Sequence, residues 1–229
     1  MKIENVPKHI GIVLDGNRRF AKRLMLKPWK GHEFGAEKVM KLIDWSIKHK
    51  IKELTLYALS VQNFHSRPKE ELNYLMNLFK KELKSLMNDK RIDKNKIKIN
   101  FIGRLNYFDN ELQELIKNIT EKTKNNNNLT ITLAVAYGGQ EEIIDAVKKI
   151  IKEKPKEINE ENFKDFLYSK ESPDLIIRTG KEKRTSNFLN YQAGYSEWIF
   201  LDILWPEFEE KDFVGCLEEF SKRRRNFGK

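Results

Sequence analysis

The sequence predicts an α/β fold in which about six strands form a mainly parallel sheet with helices on both faces. Two observations favour this class: strand-like and helix-like segments alternate along the chain, and the strand-like segments are apolar nearly throughout. Strands buried on both faces have that composition, and parallel strands need helical crossovers. The 229 residues contain no internal repeat and no linker rich in Pro, Gly or Ser, so we expect a single domain over residues 1–229.

The predicted strands are short apolar runs bounded by turn-forming residues. The first contains residues 10–14 and stops at Asp15-Gly16-Asn17, because glycine and asparagine tolerate positive φ. Five more strands are predicted at residues 53–60, 96–103, 129–137, 175–180 and 198–201.

Segments between the strands carry apolar residues at every third or fourth position, the pattern of helices that bury one face. Helices are predicted at residues 33–50, 69–89, 110–124, 141–153, 160–168 and 212–225. Two other segments, 20–30 and 61–68, are basic or polar and contain Pro28 and Pro68. There we expect irregular chain and a turn.

The net charge of +10 suits an anionic partner: nucleic acid, a membrane surface or a phosphorylated substrate. The only dense basic cluster is 222–225. The single cysteine, Cys216, excludes an internal disulfide and lies in a helical pattern, so we expect an inert thiol in a reducing compartment. Residues 1–8 contain no signal-peptide core, and no apolar run is long enough to span a bilayer. We therefore expect a cytoplasmic protein with peripheral membrane contact.

Polar side chains follow three predicted strands, in segments 15–19, 60–67 and 178–187. The carboxyl ends of parallel strands lie at one edge of the sheet, so these segments should meet there. Arginine presents a planar fork of donors to phosphate, and serine and asparagine add neutral donors. The sequence thus predicts a site for several phosphate oxygens.

A divalent metal also fits this edge. Asp15 stands among arginines and could hold Mg²⁺, which usually takes one or two carboxylates plus phosphate oxygens. Glu197 would be the second carboxylate if its strand ends nearby. His32 could donate to phosphate, transfer a proton, or serve only as a structural hydrogen-bonding group. Taken alone, segment 9–19 also fits an ordinary strand end with solvated arginines.

Several other chemistries lack their motifs in this sequence. There is no Walker-type glycine-rich loop and no GxGxxG, which disfavours nucleotide hydrolysis and dinucleotide binding. There is no Cys/His cluster for zinc and no GxSxG turn for acyl transfer.

Together the motifs resemble those of the cis-prenyltransferases, the undecaprenyl diphosphate synthase family. The similarity covers nearly the whole chain. The motifs, in order, are HIGIVLDGNRRFAK at 9–22, GH at 31–32, TLYALSVQNFHSRP at 55–68, AVAYGG at 134–139, DLIIRTGKEKRTSNFL at 174–189 and YSEWIFLDILWPEF at 195–208.

This resemblance implies an enzyme that condenses isopentenyl diphosphate repeatedly onto an allylic diphosphate primer, farnesyl or geranylgeranyl diphosphate. The new double bonds are cis, and the product is a polyprenyl diphosphate, the precursor of a glycosyl carrier lipid. The resemblance also implies Mg²⁺ as cofactor, a homodimer, membrane contact through the lipid product, and an apolar tunnel. Some of Leu75, Met76, Phe79 and Leu83 would then face that tunnel rather than the core.

The resemblance also assigns site residues. Asp15 matches the catalytic aspartate that binds Mg²⁺, and Glu197 matches the second metal carboxylate. Asn63 matches a proposed proton acceptor, although a neutral amide is better suited to orienting a diphosphate or water. The matched substrate-binding residues are Gly16, Asn17, Arg18, Arg19, Phe20 and His32 for the allylic diphosphate, Ser60, Val61, Gln62, Phe64 and Arg67 for the segment over the site, and Arg178, Arg184, Thr185 and Ser186 for isopentenyl diphosphate.

The chain departs from the pattern of bacterial members at several positions. Arg18 replaces a small residue, Gln62 stands where Glu is frequent, and Phe64 where Trp is. Pro28 stands where an arginine often binds diphosphate; a neighbouring lysine, 27 or 30, replaces that arginine, or the contact is absent. Two further departures are one extra residue before Arg67 and an alanine at 136 in place of asparagine. These departures indicate an archaeal-type member, which would favour a longer primer such as geranylgeranyl diphosphate.

Three alternatives accompany this interpretation. The first is a short-chain cis-prenyltransferase. The second is a non-catalytic partner subunit of the same fold, which should lack Asp15, Arg178, Arg184 and Ser186; this chain has all four. The third is a nucleic-acid-binding protein, for which the sequence offers charge but no recognition motif. We expect no nucleic-acid partner.

Overall fold

The structure, a computed structural model, describes residues 5–223, and six strands within them form one sheet. All five neighbouring strand pairs are parallel, in the order β3-β4-β2-β1-β5-β6. The strands are β1 (His9–Val13), β2 (Glu53–Ser60), β3 (Ile97–Ile102), β4 (Leu129–Tyr137), β5 (Leu175–Arg178) and β6 (Glu197–Phe200). The predicted α/β class with a parallel sheet is confirmed, and the domain extent of 1–229 stays a prediction.

Helices connect the strands. They are α1 (Asn17–Arg23), α2 (Gly31–Lys48), α3 (Val61–Ser66), α4 (Lys69–Met87), α5 (Lys90–Lys94), α6 (Asn110–Thr123), α7 (Gly139–Glu153) and α8 (Glu210–Lys222). The predictions at 33–50, 69–89, 110–124 and 141–153 are confirmed with small shifts at the ends. Over 160–168 only a short 3-10 turn forms, at Asn162–Phe166. The helix predicted at 212–225 begins at Glu210, and residues 224–225 lie outside the described residues.

Two segments expected to be irregular are helical instead. α1 starts directly after Gly16 and ends before Pro28, so the proline does not interrupt it. α3 begins at a capped end, where the main-chain N–H of Asn63 donates to Oγ of Ser60 at 3.0 Å. Neither helix is long enough to show an apolar periodicity, which is why polar composition concealed them.

The strands bury both faces of the sheet. On one face Ile12, Leu54 and Ile177 are fully buried in a cluster that α2, α4, α6 and α8 complete. On the other face, Val13 and Ile176 pack in a smaller cluster with Phe188, Leu189 and the tyrosines of β2 and β4. Continuous apolar strands are therefore explained by burial on two sides.

The strand register brings the chain segments after β1, β2 and β5 to one edge. Val13 pairs with Tyr57 on one side and with Arg178 on the other. Asp15 follows this level within two residues, and Ser60 ends β2 just beyond it. This edge is the carboxyl edge of the sheet.

Cys216 is buried, and burial raises the pKa of its thiol to about 12, which agrees with an inert cysteine. Of the basic cluster 222–225, residues 224 and 225 lie outside the described residues. Residues 1–4 of the amino-terminal segment 1–8 lie outside them too. Within residues 5–223 no helix has the length and apolar character that crossing a membrane requires.

His9, the first residue of β1, makes stability depend on pH. Its ring is buried beside Thr55, with Nε2 2.8 Å from Oγ1, and burial lowers its pKa to about 4. The unfolded chain, with a histidine pKa near 6.5, binds the proton more readily, so stability falls as pH drops from about 6.5 toward 4. At pH 5 the His9 contribution to this loss should be about 2 kcal/mol.

Urea unfolding of the wild type and of His9→Gln at pH 7 and pH 5 measures this effect. We expect the variant to lose less stability between the two pH values than the wild type does. Equal losses would contradict the assignment to His9.

Candidate active site

The turn between β1 and α1 places Asp15 at the carboxyl edge. Gly16 follows it with φ of 118°, and a Cβ there would lie 2.9 Å from Cα of Leu204, so the position requires glycine. The main-chain oxygen of Asp15 accepts hydrogen bonds from Trp205 N at 2.9 Å and from Thr179 Oγ1 at 2.8 Å. The loops after β5 and β6 therefore fix this turn.

The Asp15 carboxylate lies between two arginines. Arg19 Nη2 donates to Oδ1 at 2.8 Å, and Arg178 Nη2 donates to Oδ2 at 3.0 Å. Arg178 is only 4% exposed, and its Nη1 also donates to Oγ of Ser186 at 2.6 Å. Gly180 permits this approach, since a Cβ there would lie 2.6 Å from Nη2 of Arg19. The ends of β1 and β5 are thus joined through charged side chains.

A cavity of about 820 Å³, here called the polar cavity, lies at this edge and has mostly polar walls. The structure brings together in its wall most of the residues that the sequence predicted. They are Asp15, Gly16, Asn17, Arg18, Arg19, His32, Ser60, Gln62, Asn63, Arg67, Arg178, Arg184 and Ser186. Their convergence follows from the parallel sheet, since each set follows a different strand.

Sequence reasoning gave no site role to four polar residues of this wall, Lys22, Gln140, Glu182 and Asn187. Gln140 follows the Gly-Gly pair after β4, and this place just beyond the carboxyl end of a strand could have predicted it as a site residue. Glu182 and Asn187 belong to segment 178–187, which the sequence placed at this edge, but neither residue was assigned a function there. Lys22 lies one turn beyond Arg18 on α1, and the sequence did not predict that helix.

The two lysines considered as replacements for the arginine near Pro28 do not line the polar cavity. Lys27 Nζ lies 3.6 Å from Oε1 of Glu70, and Lys30 Nζ lies 3.1 Å from Oε1 of Glu33. Lys22 is instead the lysine of this region in the cavity wall.

Four residues expected at the substrate lie outside the wall. Phe20 packs edge-on against an aromatic ring of α2, and Phe64 packs against rings of the loop after β3. Val61 is buried and Thr185 is exposed. Their roles as substrate contacts stay predictions.

The structure does not bring Glu197 to Asp15. Glu197 is the first residue of β6 and pairs with Leu175, which pairs with Ile10 of β1. It therefore lies at the amino edge, about 16 Å from the level of Asp15 at 3.3 Å per residue. Its carboxylate accepts from Arg223 Nη1 at 2.7 Å. The condition set for Glu197, a strand end close to Asp15, is not met because β6 begins at Glu197, and one chain does not pair these two carboxylates at a metal.

A buried ion pair supports another part of the cavity wall, where Arg18, His32 and Arg67 lie. Arg67 Nη1 donates to Glu71 Oε1 at 2.5 Å and to Nε2 of His32 at 3.2 Å, and Arg18 Nε lies 3.5 Å from the same Glu71 oxygen. Burial and the two guanidinium groups lower the pKa of His32 to about 3. His32 is therefore neutral near pH 7 and accepts from Arg67. Of its three expected roles, the geometry favours the structural one.

Some buried polar atoms in these walls lack partners. Nε of Arg67 and Nε of Arg178 are buried donors that make no hydrogen bond. Both guanidinium groups also line the polar cavity, where an anion with several oxygens would stabilise their positive charge. A diphosphate fits that description.

The donor set at Asp15 fits magnesium held together with phosphate. Within residues 5–223 no group of three or more His, Cys, Asp or Glu side chains forms a metal cage. A cation at Asp15 would therefore take further ligands from a bound diphosphate and water, which is the usual way that Mg²⁺ binds.

An apolar cavity of about 170 Å³ continues from the polar one between the sheet, α2 and α4. Leu75, Phe79 and Leu83 line it, whereas Met76 does not and packs against the core instead. Both cavities share four wall residues, Leu14, Asn17, His32 and Ala58. A ligand with a charged head and an apolar tail would match this pair of cavities.

The parallel sheet, the arginine-rich cavity and the adjoining apolar cavity define a class of enzyme that binds the diphosphates of apolar alcohols. Comparison with known proteins agrees. A family model described as undecaprenyl diphosphate synthase matches residues 13–228, so the chain belongs to the undecaprenyl diphosphate synthase family. It is accordingly an enzyme that transfers prenyl groups.

The similar proteins include a tritrans,polycis-undecaprenyl-diphosphate synthase (geranylgeranyl-diphosphate specific) from Thermococcus kodakarensis, 41% identical, with 100% of this chain and 89% of the relative covered. An isoprenyl transferase from Thermus thermophilus is 41% identical over 98% of this chain and 89% of its own length. The crystal structure of lavandulyl diphosphate synthase from Lavandula x intermedia with dimethylallyl diphosphate superposes with a TM-score of 0.92 at 33% identity, covering 98% of this chain and 99% of that one. The related synthases are mostly archaeal, as the departures from the bacterial pattern indicated.

Removing Glu71 should destabilise the fold strongly. Glu71→Ala leaves Arg67, only 10% exposed, without its counter-charge, and breaking such a buried pair costs about 3–5 kcal/mol. Glu70→Ala, at the exposed neighbour, is the matched control and should change the free energy of unfolding by less than about 1 kcal/mol. Urea unfolding at pH 7 measures both variants, and equal losses would show that the buried pair is not structural.

Proposed function

We propose that this chain catalyses cis-prenyl chain elongation. It condenses isopentenyl diphosphate sequentially with an allylic diphosphate primer and yields a polyprenyl diphosphate, a glycosyl carrier lipid precursor. The observation that supports this most directly is the polar cavity, where Asp15 lies between Arg19 and Arg178, and which shares four wall residues with an apolar cavity.

The polar cavity offers places for two diphosphates. Gly16, Asn17 and Arg19, at the start of α1, would hold the allylic diphosphate, with Arg67 fixed by Glu71. The loop after β5 would hold isopentenyl diphosphate, because Arg178 and Ser186 are already joined there and Arg184 lines the same wall. Arginine forks suit both ligands.

The proposed reaction is an electrophilic alkylation. The bond between the allylic carbon and its diphosphate oxygen breaks, a new carbon–carbon bond forms to isopentenyl diphosphate, and a proton leaves the extended chain. The cavity would align the two carbons, and its fixed arginines would stabilise the charge on the departing diphosphate. Mg²⁺ held by Asp15 would supply Lewis-acid stabilisation of the same charge. Asn63 lines the cavity and would orient a diphosphate or water.

We propose geranylgeranyl diphosphate as the primer. The Thermococcus kodakarensis relative is named as specific for that substrate, and the bacterial pattern is replaced here at several positions. A short-chain cis-prenyltransferase is the second candidate, favoured by the close superposition on lavandulyl diphosphate synthase.

The proposed assembly is a homodimer. Ile144, Val147 and Ile151 are 53%, 40% and 67% exposed and follow one another along one side of α7. Large apolar side chains exposed together commonly mark a protein interface, and a two-fold dimer would bury them against their own copies.

We also propose a cytoplasmic location with peripheral membrane contact through the lipid product. Leu24, Met25 and Leu26 are 45%, 94% and 41% exposed after α1, beside the basic side chains of Lys22 and Arg23. Apolar residues flanked by cations suit an anionic lipid surface.

Asp15→Ala should abolish turnover in a protein that still folds but is less stable than the wild type, because the buried Arg178 loses its counter-charge. The substitution removes the proposed metal carboxylate and the counter-charge that aligns two arginines, while Asp15 contributes to the fold through its main-chain oxygen. Transfer of labelled isopentenyl diphosphate, with circular dichroism as the folding control, measures this. Near-normal activity of the variant would contradict the proposed site.

Primer choice and product length can be measured together. Incubation with labelled isopentenyl diphosphate and C10, C15 or C20 primers, with and without Mg²⁺, should give long products that depend on Mg²⁺ and form best from the C20 primer. Short products from every primer would support the second candidate. Absence of transfer with every primer would overturn the proposed function.

A further inference from the structure

The first turn of α7 connects two sides of the polar cavity. Nε2 of Gln62 on α3 donates to Oε1 of Glu141 at 3.0 Å. Nδ2 of Asn187, in the loop after β5, donates to Oε2 of the same carboxylate at 2.8 Å. One carboxylate thus bonds to both segments, one with each oxygen.

Gly138 shows how closely this link is packed. A Cβ at position 138 would lie 2.1 Å from Oε2 of Glu141 and 2.7 Å from Nδ2 of Asn187. The backbone there is extended, with φ of −159°, so any residue could adopt the conformation. A side chain at 138 would have to displace the Glu141 carboxylate and the Asn187 amide, so glycine leaves free the space that their hydrogen bond occupies.

Asn187 can present only its amide NH₂ group to Glu141. Its Oδ1 accepts from the main-chain nitrogen of Gln140 at 2.8 Å and from Nδ2 of Asn190 at 2.8 Å, which fixes the orientation of the amide. A negatively charged acceptor at 141 matches that orientation. Glu141 also lies in the first turn of α7, where a carboxylate is favoured by the helix dipole.

The loop that Glu141 supports carries backbone strain. Ser186 and Asn187 have φ of 52° and 63°, two consecutive left-handed residues that are not glycine. Such conformations cost about 1 kcal/mol or more each and persist only where the surroundings hold them. Ser186 in turn accepts from Arg178, which pairs with Asp15. A continuous series of contacts therefore leads from Gln62 through Glu141 to Asp15.

We propose that Glu141 is a positioning residue that holds α3 and the loop after β5 at a fixed separation. It thereby sets the distance between Arg67, which follows α3 and faces the allylic position, and the loop that would hold isopentenyl diphosphate. The naming of those positions rests on the proposed function; the link itself does not. Gln62, which stands where a glutamate is frequent in bacterial members, is the donor that this carboxylate requires. A glutamate at 62 would face a second carboxylate.

Exchanging donor and acceptor tests the link. Gln62→Glu alone places two carboxylates together, and we expect the Kd for inorganic diphosphate to rise about tenfold. In the Glu141→Gln background, the new amide can donate to position 62 and accept from Asn187. There the same Gln62→Glu change should raise the Kd by less than about threefold. Isothermal titration calorimetry measures all four proteins, and transfer assays should show the same recovery in kcat.

The matched control removes a carboxylate from the other end of α7. In the Glu153→Gln background, Gln62→Glu should still raise the Kd for inorganic diphosphate about tenfold. A change of net charge at a distant site adds to the effect of Gln62→Glu without altering it. If Gln62→Glu fails to fold, Gln62→Ala and Glu141→Ala form the substitute cycle, in which the double variant should be no worse than the poorer single variant.

An equal Kd penalty for Gln62→Glu in all three backgrounds would overturn the proposal, as would full additivity in the alanine cycle. Diphosphate binding is measured without prenyl transfer. The positioning role of Glu141 and the proposed elongation activity can therefore be contradicted separately. A chain that binds diphosphate with the expected coupling but elongates no primer would support the link and contradict the proposed function.

Discussion

The charge arrangement around Asp15 is the constraint on which the rest of the cavity depends. Arg178 is almost completely buried, and a buried guanidinium without a counter-charge would be strongly destabilising. The Asp15 carboxylate supplies that counter-charge and also holds Arg19, so two cations stay beside each other before any anion arrives. An anion that binds here meets donors already in place, and little reorganisation is needed as charge develops.

The backbone around Asp15 is fixed as firmly as its side chain. Its main-chain oxygen accepts from the loops after β5 and β6, which are distant in sequence. The indole of Trp205 donates to the Gly35 oxygen at 2.9 Å, so α2 is joined to the same turn. A short strand end thereby becomes a junction of three segments. Rigid supports of this kind keep polar side chains within the narrow tolerances that catalysis requires.

The sequence could predict those parts of the site that follow from topology. Residues at or just after the carboxyl ends of apolar strands, such as Asp15, Ser60 and Arg178, must meet if the sheet is parallel, and they do. Glu197 precedes an apolar strand instead of following one, so the same rule places it at the amino edge, away from Asp15. The sequence also gives no reason to predict a role for Glu71 or Glu141. Each lies in the acidic first turn of a helix, where a glutamate is usually exposed to solvent. Their importance depends on partners from distant segments, which the local sequence does not reveal.

His32 lies in the wall that both cavities share, and its lack of charge lowers the cost of moving an apolar chain from one cavity to the other. A positively charged imidazole at that point would be hydrated, and its desolvation by a neighbouring hydrocarbon chain would cost free energy. An uncharged imidazole already engaged by Arg67 demands no such dehydration. A growing hydrocarbon chain could then extend past His32 into the apolar cavity. Its diphosphate would stay among the arginines of the polar cavity.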